Sequence, residues 1–315
     1  MSFAFIAHDL PMKHQADNLN RSPQDRLRGK RIGISISESP ELGHLGLNAR
    51  AVNDITVDLA RRLLSLGATV VLGHNWRLGG VMEAIAKFAM VYRNQTSAPE
   101  KPLIINYLAA PDQPSLSAAE ARDLAAIIRV ETIAWGDRQN EFFSRLGTNM
   151  GDSIKSFLPL RGGVKSEDTR PRNLFAMRHL MSLDCDARIV IGGQIARYQG
   201  FGPGIIEELF LALCFQTPVL LSTALGGASA AVMNPDLPET RILMDRSMPR
   251  LYLSVIHQHM EEPDAVQVTD DLHGETLLPL LASLVSRHDR PHPGAPLGGI
   301  SGSESGSGLP GGASV

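Results

Sequence analysis

Short apolar runs alternate with segments of helical period along most of this chain. Ile32–Ile36, Ala68–Leu72, Pro102–Tyr107, Val130–Ala134, Arg188–Ile191 and Val219–Leu221 read as strands. Leu47–Leu66, Gly80–Tyr92, Ser115–Ile128, Arg172–Leu183, Pro203–Phe215, Met248–Met260 and Glu275–Arg287 read as helices, with 138–158 ambiguous. Strands that are apolar on both faces and separated by helices predict a doubly wound α/β fold with a mainly parallel sheet. In an open sheet of this kind the ligand lies outside the carboxyl ends of the strands. The residues that follow each strand are therefore the candidates for chemistry.

The alternation is confined to the middle of the chain. Residues 1–29 show no sustained period and are expected to be a flexible arm. From about Asp289 Gly, Ser and Pro dominate, so 289–315 are expected to be a disordered tail. One domain, residues 30–288, lies between them. The formal net charge of −3 and a pI near 6.4 do not give the basic footprint of a nucleic-acid binder. The two cysteines, Cys185 and Cys214, form no C-x-x-C pair. They fit a reducing compartment, and a cytoplasmic location is expected. Leu209–Phe215 is the longest apolar run and far too short to cross a membrane. No metal site or cofactor is expected.

Four loops at strand ends carry residues suited to an anionic ligand. Ser35 and Ser37 close the first strand, where their hydroxyls could grip phosphate or ribose or serve ordinary turn chemistry. After the second strand come Trp76, Arg77, Gly79 and Gly80, then a helix. Glycines there let the backbone approach an anion at a helix N-terminus, Arg77 could add a bidentate phosphate contact, and Trp76 could stack on a base. A glycine turn with a buried Trp is the plainer alternative. Gly192, Gly193, Gly200, Gly202 and Gly204 surround the entry to the helix that begins at Pro203, a residue suited to the first helical position. Glu207 and Glu208 follow, either as acids favoured near a helix N-terminus or as contacts to a sugar. Gly226 and Gly227 open another helix. His257 and His259, two apart on one helix, are expected to be exposed and unrelated to a metal.

These residues resemble those of a known superfamily. GKRIGISISESPELGHLGL, LARRLLSLGATVVLGHNWRLGGVMEAI, LIINYLAAP and DARIVIGGQIARYQGFGPGIIEELFLALCFQTPVLLSTALGGASAAV are similar to the prokaryotic conflict-system branch of the SLOG superfamily, over about residues 30–235. The superfamily includes LOG phosphoribohydrolases, Smf/DprA-type domains and the LSDAT domains of TRPM channels. The resemblance implies a Rossmann-like fold that takes nucleotide derivatives.

In the LOG branch the motif P-G-G-x-G-T-x-x-E, with a catalytic Arg on a preceding helix, serves cleavage of an N-glycosidic bond. Laid on this chain, its Glu falls on Glu208 and its Arg on Arg178. Its Thr is replaced by Ile205 and its first Gly by Phe201. The resemblance thus implies a sensor of a phosphate-bearing ligand of the ADP-ribose or cyclic ADP-ribose type. Its phosphates would rest on Gly79, Gly80, Gly202 and Gly204 with Arg77, Glu208 would meet a ribose, and Arg178 would face the same pocket. A homo-oligomer and an effector protein acting in trans are the expected partners. The alternatives are a hydrolase using Arg178 and Glu208 as catalytic residues, and a protein-interaction subunit that binds no ligand.

Overall fold

The structure, a computed structural model, describes residues 22–73, 80–96, 101–114, 116, 118–150, 169–260, 262 and 264–288. Seven strands form one all-parallel sheet: β1 (Arg31–Ser37), β2 (Thr69–Leu72), β3 (Ile104–Ala109), β4 (Ile128–Ile133), β5 (Ala187–Gly192), β6 (Val219–Ser222) and β7 (Val266–Thr269). Their spatial order is β4-β3-β2-β1-β5-β6-β7. The chain builds outward from β1 to β4, returns to pair β5 with the free side of β1, and then builds the other way. The ends of β1 and β5 thus flank the point where the winding reverses, which is where such sheets leave a crevice. The expected doubly wound, Rossmann-like architecture is the one observed.

The helices are α1 (Pro23–Leu27), α2 (Ala49–Ser65), α3 (Val81–Gln95), α4 (Ala118–Leu124), α5 (Asp137–Met150), α6 (Thr169–Leu183), α7 (Gly204–Cys214), α8 (Gly227–Ala231), α9 (Pro238–Met244), α10 (Ser247–Met260) and α11 (Gly274–Arg287). The two faces of the sheet follow from the period of two in its strands. Ile32, Ile34 and Ile36 of β1, with Ile189 and Ile191 of β5, pack under α2, α3 and α11. Val190 of β5, with Val219 and Leu221 of β6, points to the opposite face, against α7 and α10. On that same side α6 covers β2 and β3 through Leu174, Met177 and Met181. Helix α2 shows how local sequence sets an element. The Asn48 side chain caps its start by accepting from Ala51 N–H at 3.1 Å. Its stripe of Val52, Leu59, Ala60, Leu63 and Leu64 is buried, and it gives way at Gly67, whose φ of +79° a side chain disfavours.

Several elements differ from the expected ranges. The helix expected over Ser115–Ile128 runs only from Ala118 to Leu124. Ile127 and Ile128 are buried, and the Ile127 carbonyl accepts from Leu103 and Ile104, so this pair leads into β4 and the sheet claims it. Pro203 caps α7 and does not sit inside it; its carbonyl accepts from Glu207 N–H at 2.9 Å. Strand β7 and helix α9 escape a reading by apolar pattern. β7 is a half-exposed edge strand, Val-Gln-Val-Thr, and α9 is only two turns long. His257 and His259 are half-buried rather than exposed. Their ring nitrogens meet the carbonyls of Val232 and Val255, both at 2.9 Å. The glycine-rich tail 289–315, and 151–158 of the ambiguous segment, lie outside the described residues.

Pro23–Leu27, inside the stretch expected to be an arm, form α1, which packs against α11. Leu27 is fully buried in the core under α2 and α11. Leu27→Ala is expected to cost about 2–5 kcal/mol, as for other buried Leu truncations. Urea unfolding would measure this, and a cost under about 0.5 kcal/mol would mean α1 is not part of the cooperative fold.

Candidate functional site

Two groups of residues meet around the reversal point. The first lies between the sheet and helices α6 and α7. Beyond Arg31 at its start, the face of β1 opposite its isoleucines carries Gly33, Ser35 and Ser37. That small face leaves room for Arg188 of β5, whose side chain is completely buried. A Cβ on Gly33 would stand 3.2 Å from the Arg188 guanidinium carbon. Arg188 Nη1 donates to Ser35 Oγ at 2.7 Å and to Glu208 Oε2 at 3.0 Å. Its Nη2 reaches Ser182 Oγ at 3.3 Å and Cys185 Sγ at 3.6 Å. The Ser35 hydroxyl donates to the same Glu208 oxygen.

Arg178 joins this network from α6. Its Nε lies 3.5 Å from Glu208 Oε1, and its Nη1 pairs with Glu207 Oε2. Glu207 takes a further hydrogen bond, at 2.8 Å, from the hydroxyl of Tyr252 on α10. Two guanidinium groups thus face two carboxylates in a layer from which water is largely excluded. The side chains of Glu207 and Arg188 are 0% exposed, those of Arg178 and Glu208 12% and 13%. Burial pushes the pKa of Glu207 up, against the pull of Arg178 and the Tyr252 hydrogen bond. Burial also works against the charge of Arg178, but Glu207 and Glu208 outweigh it and hold its pKa above the ordinary value. Burial and the neighbouring Glu207 carry the Tyr252 phenol well above its usual range.

The glycines before α7 serve this network. A Cβ on Gly200 would stand 2.7 Å from Arg178 Nη1, and one on Gly204 would stand 2.7 Å from Nη2. A Cβ on Gly202 would meet the Tyr252 ring at 2.9 Å. Gly200 and Gly204 therefore let the guanidinium lie at the helix entry. Nη2 makes no hydrogen bond among the described residues.

The second group closes over the strand ends. Gly192 and Gly193 have φ of +67° and +102°, and Gly193 N–H donates to the Ser37 carbonyl at 3.0 Å. Ala228 N–H donates to the Gly193 carbonyl at 2.9 Å, and Gly192 N–H to Ser229 Oγ at 3.0 Å. The Ser39 hydroxyl donates to the Leu225 carbonyl. A Cβ on Gly193 would run into Ile205 at 2.5 Å, and one on Gly227 into the Gly193 carbonyl. The loops after β1, β5 and β6 are thereby laced together, backbone on backbone.

The structure therefore brings together Ser35, Arg178 and Glu208, and separately Ser37, Gly192, Gly193, Gly226 and Gly227. Gly80 stands apart from both, as the cap of α3 beyond β2. Arg77 and Gly79, with Trp76, lie outside the described residues. Sequence reasoning missed Arg188, Tyr252 and the buried pairing of Glu207. The signal for Arg188 was present: a lone charge inside Ala-Arg-Ile-Val-Ile-Gly, a strand buried at every position, must be paired.

Among protein families, SLOG cluster2 matches residues 26–242. The chain belongs to the SLOG superfamily. It is thus a Rossmann-like domain of a nucleotide-related kind. No curated protein matches it. The SLOG match covers β1 to β6 and includes Ser35, Arg178, Arg188, Glu207 and Glu208. Tyr252, which closes the network over Glu207, lies beyond it. Ile205, at the Thr position of the LOG motif, is buried and fills the space left by Gly193. Phe201, at a motif Gly, packs its ring against Trp135 and Phe175 at 6.4 and 6.1 Å.

Two measurements check this picture. Arg188→Met should cost about 3–5 kcal/mol in urea unfolding, because it strips Glu208 of a buried partner. Adding Glu208→Gln to that variant should recover part of the loss, and full additivity of the two changes would mean that they are uncoupled. His179, next to Arg178 on α6, sits among Phe142, Phe175 and Phe215 with its Nδ1 3.1 Å from the Gln139 amide nitrogen. Burial, with Arg138 adding to it, lowers its pKa from 6.5 to about 4. The unfolded chain then binds more protons than the folded one between those values. Stability should fall as pH drops from about 6.5 towards 4, and His179→Gln should flatten that dependence. An unchanged slope in the variant would assign the pH dependence to other groups.

Proposed function

We propose that this SLOG domain binds a phosphate-bearing nucleotide derivative, of the ADP-ribose or cyclic ADP-ribose type, and holds it without cleaving it. The crevice at the ends of β1 and β5 is the expected ligand position for this topology. Arg178 Nη2, at the entry of α7, supplies a charged donor for a phosphate.

The observation that favours binding over hydrolysis is the state of Glu208. A general base or nucleophile must reach a water or the reacting carbon. Glu208 Oε2 is occupied by Ser35 and Arg188, and Oε1 faces Arg178. A carboxylate with one oxygen taken by Ser35 and Arg188, and the other facing a guanidinium at 3.5 Å, is better placed to position its neighbours than to activate water. The replacement of the motif Thr by Ile205 removes a phosphate-gripping hydroxyl as well. Such a domain acts as a sensor that passes its signal through self-assembly or to an effector chain, in an anti-phage or stress response.

The test is thermal unfolding with ADP-ribose, cyclic ADP-ribose, NAD, AMP and GMP, followed by chromatography of each recovered compound. One compound is expected to raise the transition and return intact. The gain should follow RT ln(1 + [L]/Kd), about 2.7 kcal/mol at a hundredfold excess over Kd. Free base in the recovered sample would make the protein an N-glycosidase with Arg178 and Glu208 as catalytic residues. No shift with any compound would favour an interaction subunit.

A further inference from the structure

Glu41 stands in the turn that follows β1, and neither the network around Glu208 nor the lacing of the loops uses it. Its turn leans across the end of β5 to the loop after β6. There the Ser39 hydroxyl holds the Leu225 carbonyl, and the Glu41 side chain lies flat over Gly226. A Cβ on Gly226 would stand 3.0 Å from Glu41 Oε2, 3.1 Å from its carboxyl carbon and 3.2 Å from its Cβ. Gly226 has φ of +69°, so both its conformation and the carboxylate above it call for glycine. Oε2 is buried, yet no group among the described residues donates to it. A buried carboxylate oxygen with no donor is costly, and native proteins keep few of them. Several neighbouring donors are already committed. The Ser39 hydroxyl is spent on Leu225, the Ser229 hydroxyl on Gly226, and the amides of Gly226 and Ala228 on Thr223 and Gly193.

We propose that Glu41 is the specificity-determining residue of the crevice, and that Oε2 accepts hydrogen bonds from the hydroxyls of a ligand ribose. The inference rests on the nucleotide-binding reading given above. The oxygen lies where the loops after β1, β5 and β6 converge, at the reversal point of the sheet. It requires a donor, and an acceptor-only carboxylate repels phosphate. Of the parts of a nucleotide derivative, the ribose is the one that offers adjacent hydroxyl donors, so the sugar faces Glu41 and the phosphates lie away from it, towards Arg178.

The experiment measures binding of ADP-ribose, and of the two analogues lacking the 2′-hydroxyl on one ribose or the other, to the full chain and to Glu41→Gln and Glu41→Ala. Each free protein is also melted. The native chain should bind one deoxy analogue at least tenfold more weakly than ADP-ribose. Both variants should lose that discrimination while binding this analogue as the native chain does. The free variants should melt no lower than the native chain, because no stabilising contact is removed. Discrimination that survives in Glu41→Ala overturns the inference and leaves nucleotide binding standing. A free variant that melts well below the native chain makes Glu41 structural and overturns it as well. A native chain that binds none of the three compounds overturns this inference together with the ADP-ribose reading on which it rests.

Discussion

Arg188 ties the two halves of this molecule together. A guanidinium inside a parallel sheet has little water to solvate it, so its charge depends on partners in the protein; Nη1 and Nη2 of Arg188 find them, while its buried Nε does not. β1 yields the space with Gly33 and Ser35, α6 supplies Ser182, and α7 supplies Glu208. Since β1 and β5 are the strands on either side of the reversal point, this one residue couples the register of the sheet to the position of the helix that frames the crevice. Glu208 then recruits Arg178, Arg178 recruits Glu207, and Glu207 recruits Tyr252. Each step is forced by the burial of the one before it.

This chain of pairing takes in the two residues, Arg178 and Glu208, that match the Arg and Glu of the LOG motif. An Arg and a Glu at the entry of α7 can be read as an acid–base pair only if the Glu has an oxygen to spare. Here Oε2 is taken by Ser35 and Arg188, while Oε1 lies 3.5 Å from Arg178 Nε, and these charges tie the sheet to the helix. Above that layer the loop amides of Gly192, Gly193, Gly226 and Ala228 are bonded within the protein, and Arg178 Nη2 makes no hydrogen bond among the described residues.

The fold was legible in the chain because burial on both faces leaves a direct mark. Val-Val-Leu in β2 and Ile-Val-Ile in β5 admit few other placements when helices of regular period separate them. Pattern weakens where burial weakens. No residue of β7 is fully buried and α9 is short, so neither reveals itself by apolar period. The site was legible only in part. Ser35, Arg178 and Glu208 could be named, but not the reason they meet. The glycines at 192, 193, 200, 202, 204 and 227 could be seen to matter. In the structure they admit the protein's own atoms: the Arg178 guanidinium, the Tyr252 ring, the Ile205 side chain and neighbouring carbonyls.

The sequence by itself determined the layers of this protein, since strand and helix are local consequences of which residues seek burial and with what period. It also determined that a charge at position 188 needs a partner, because a lone Arg in a buried strand cannot stay unpaired. Only the tertiary structure decided which partner. Ser35, Ser182 and Glu208 lie 153, 6 and 20 residues away from Arg188 along the chain. Their meeting depends on β5 returning to the free side of β1, a choice made by the packing of the whole sheet and recorded in no local stretch of residues.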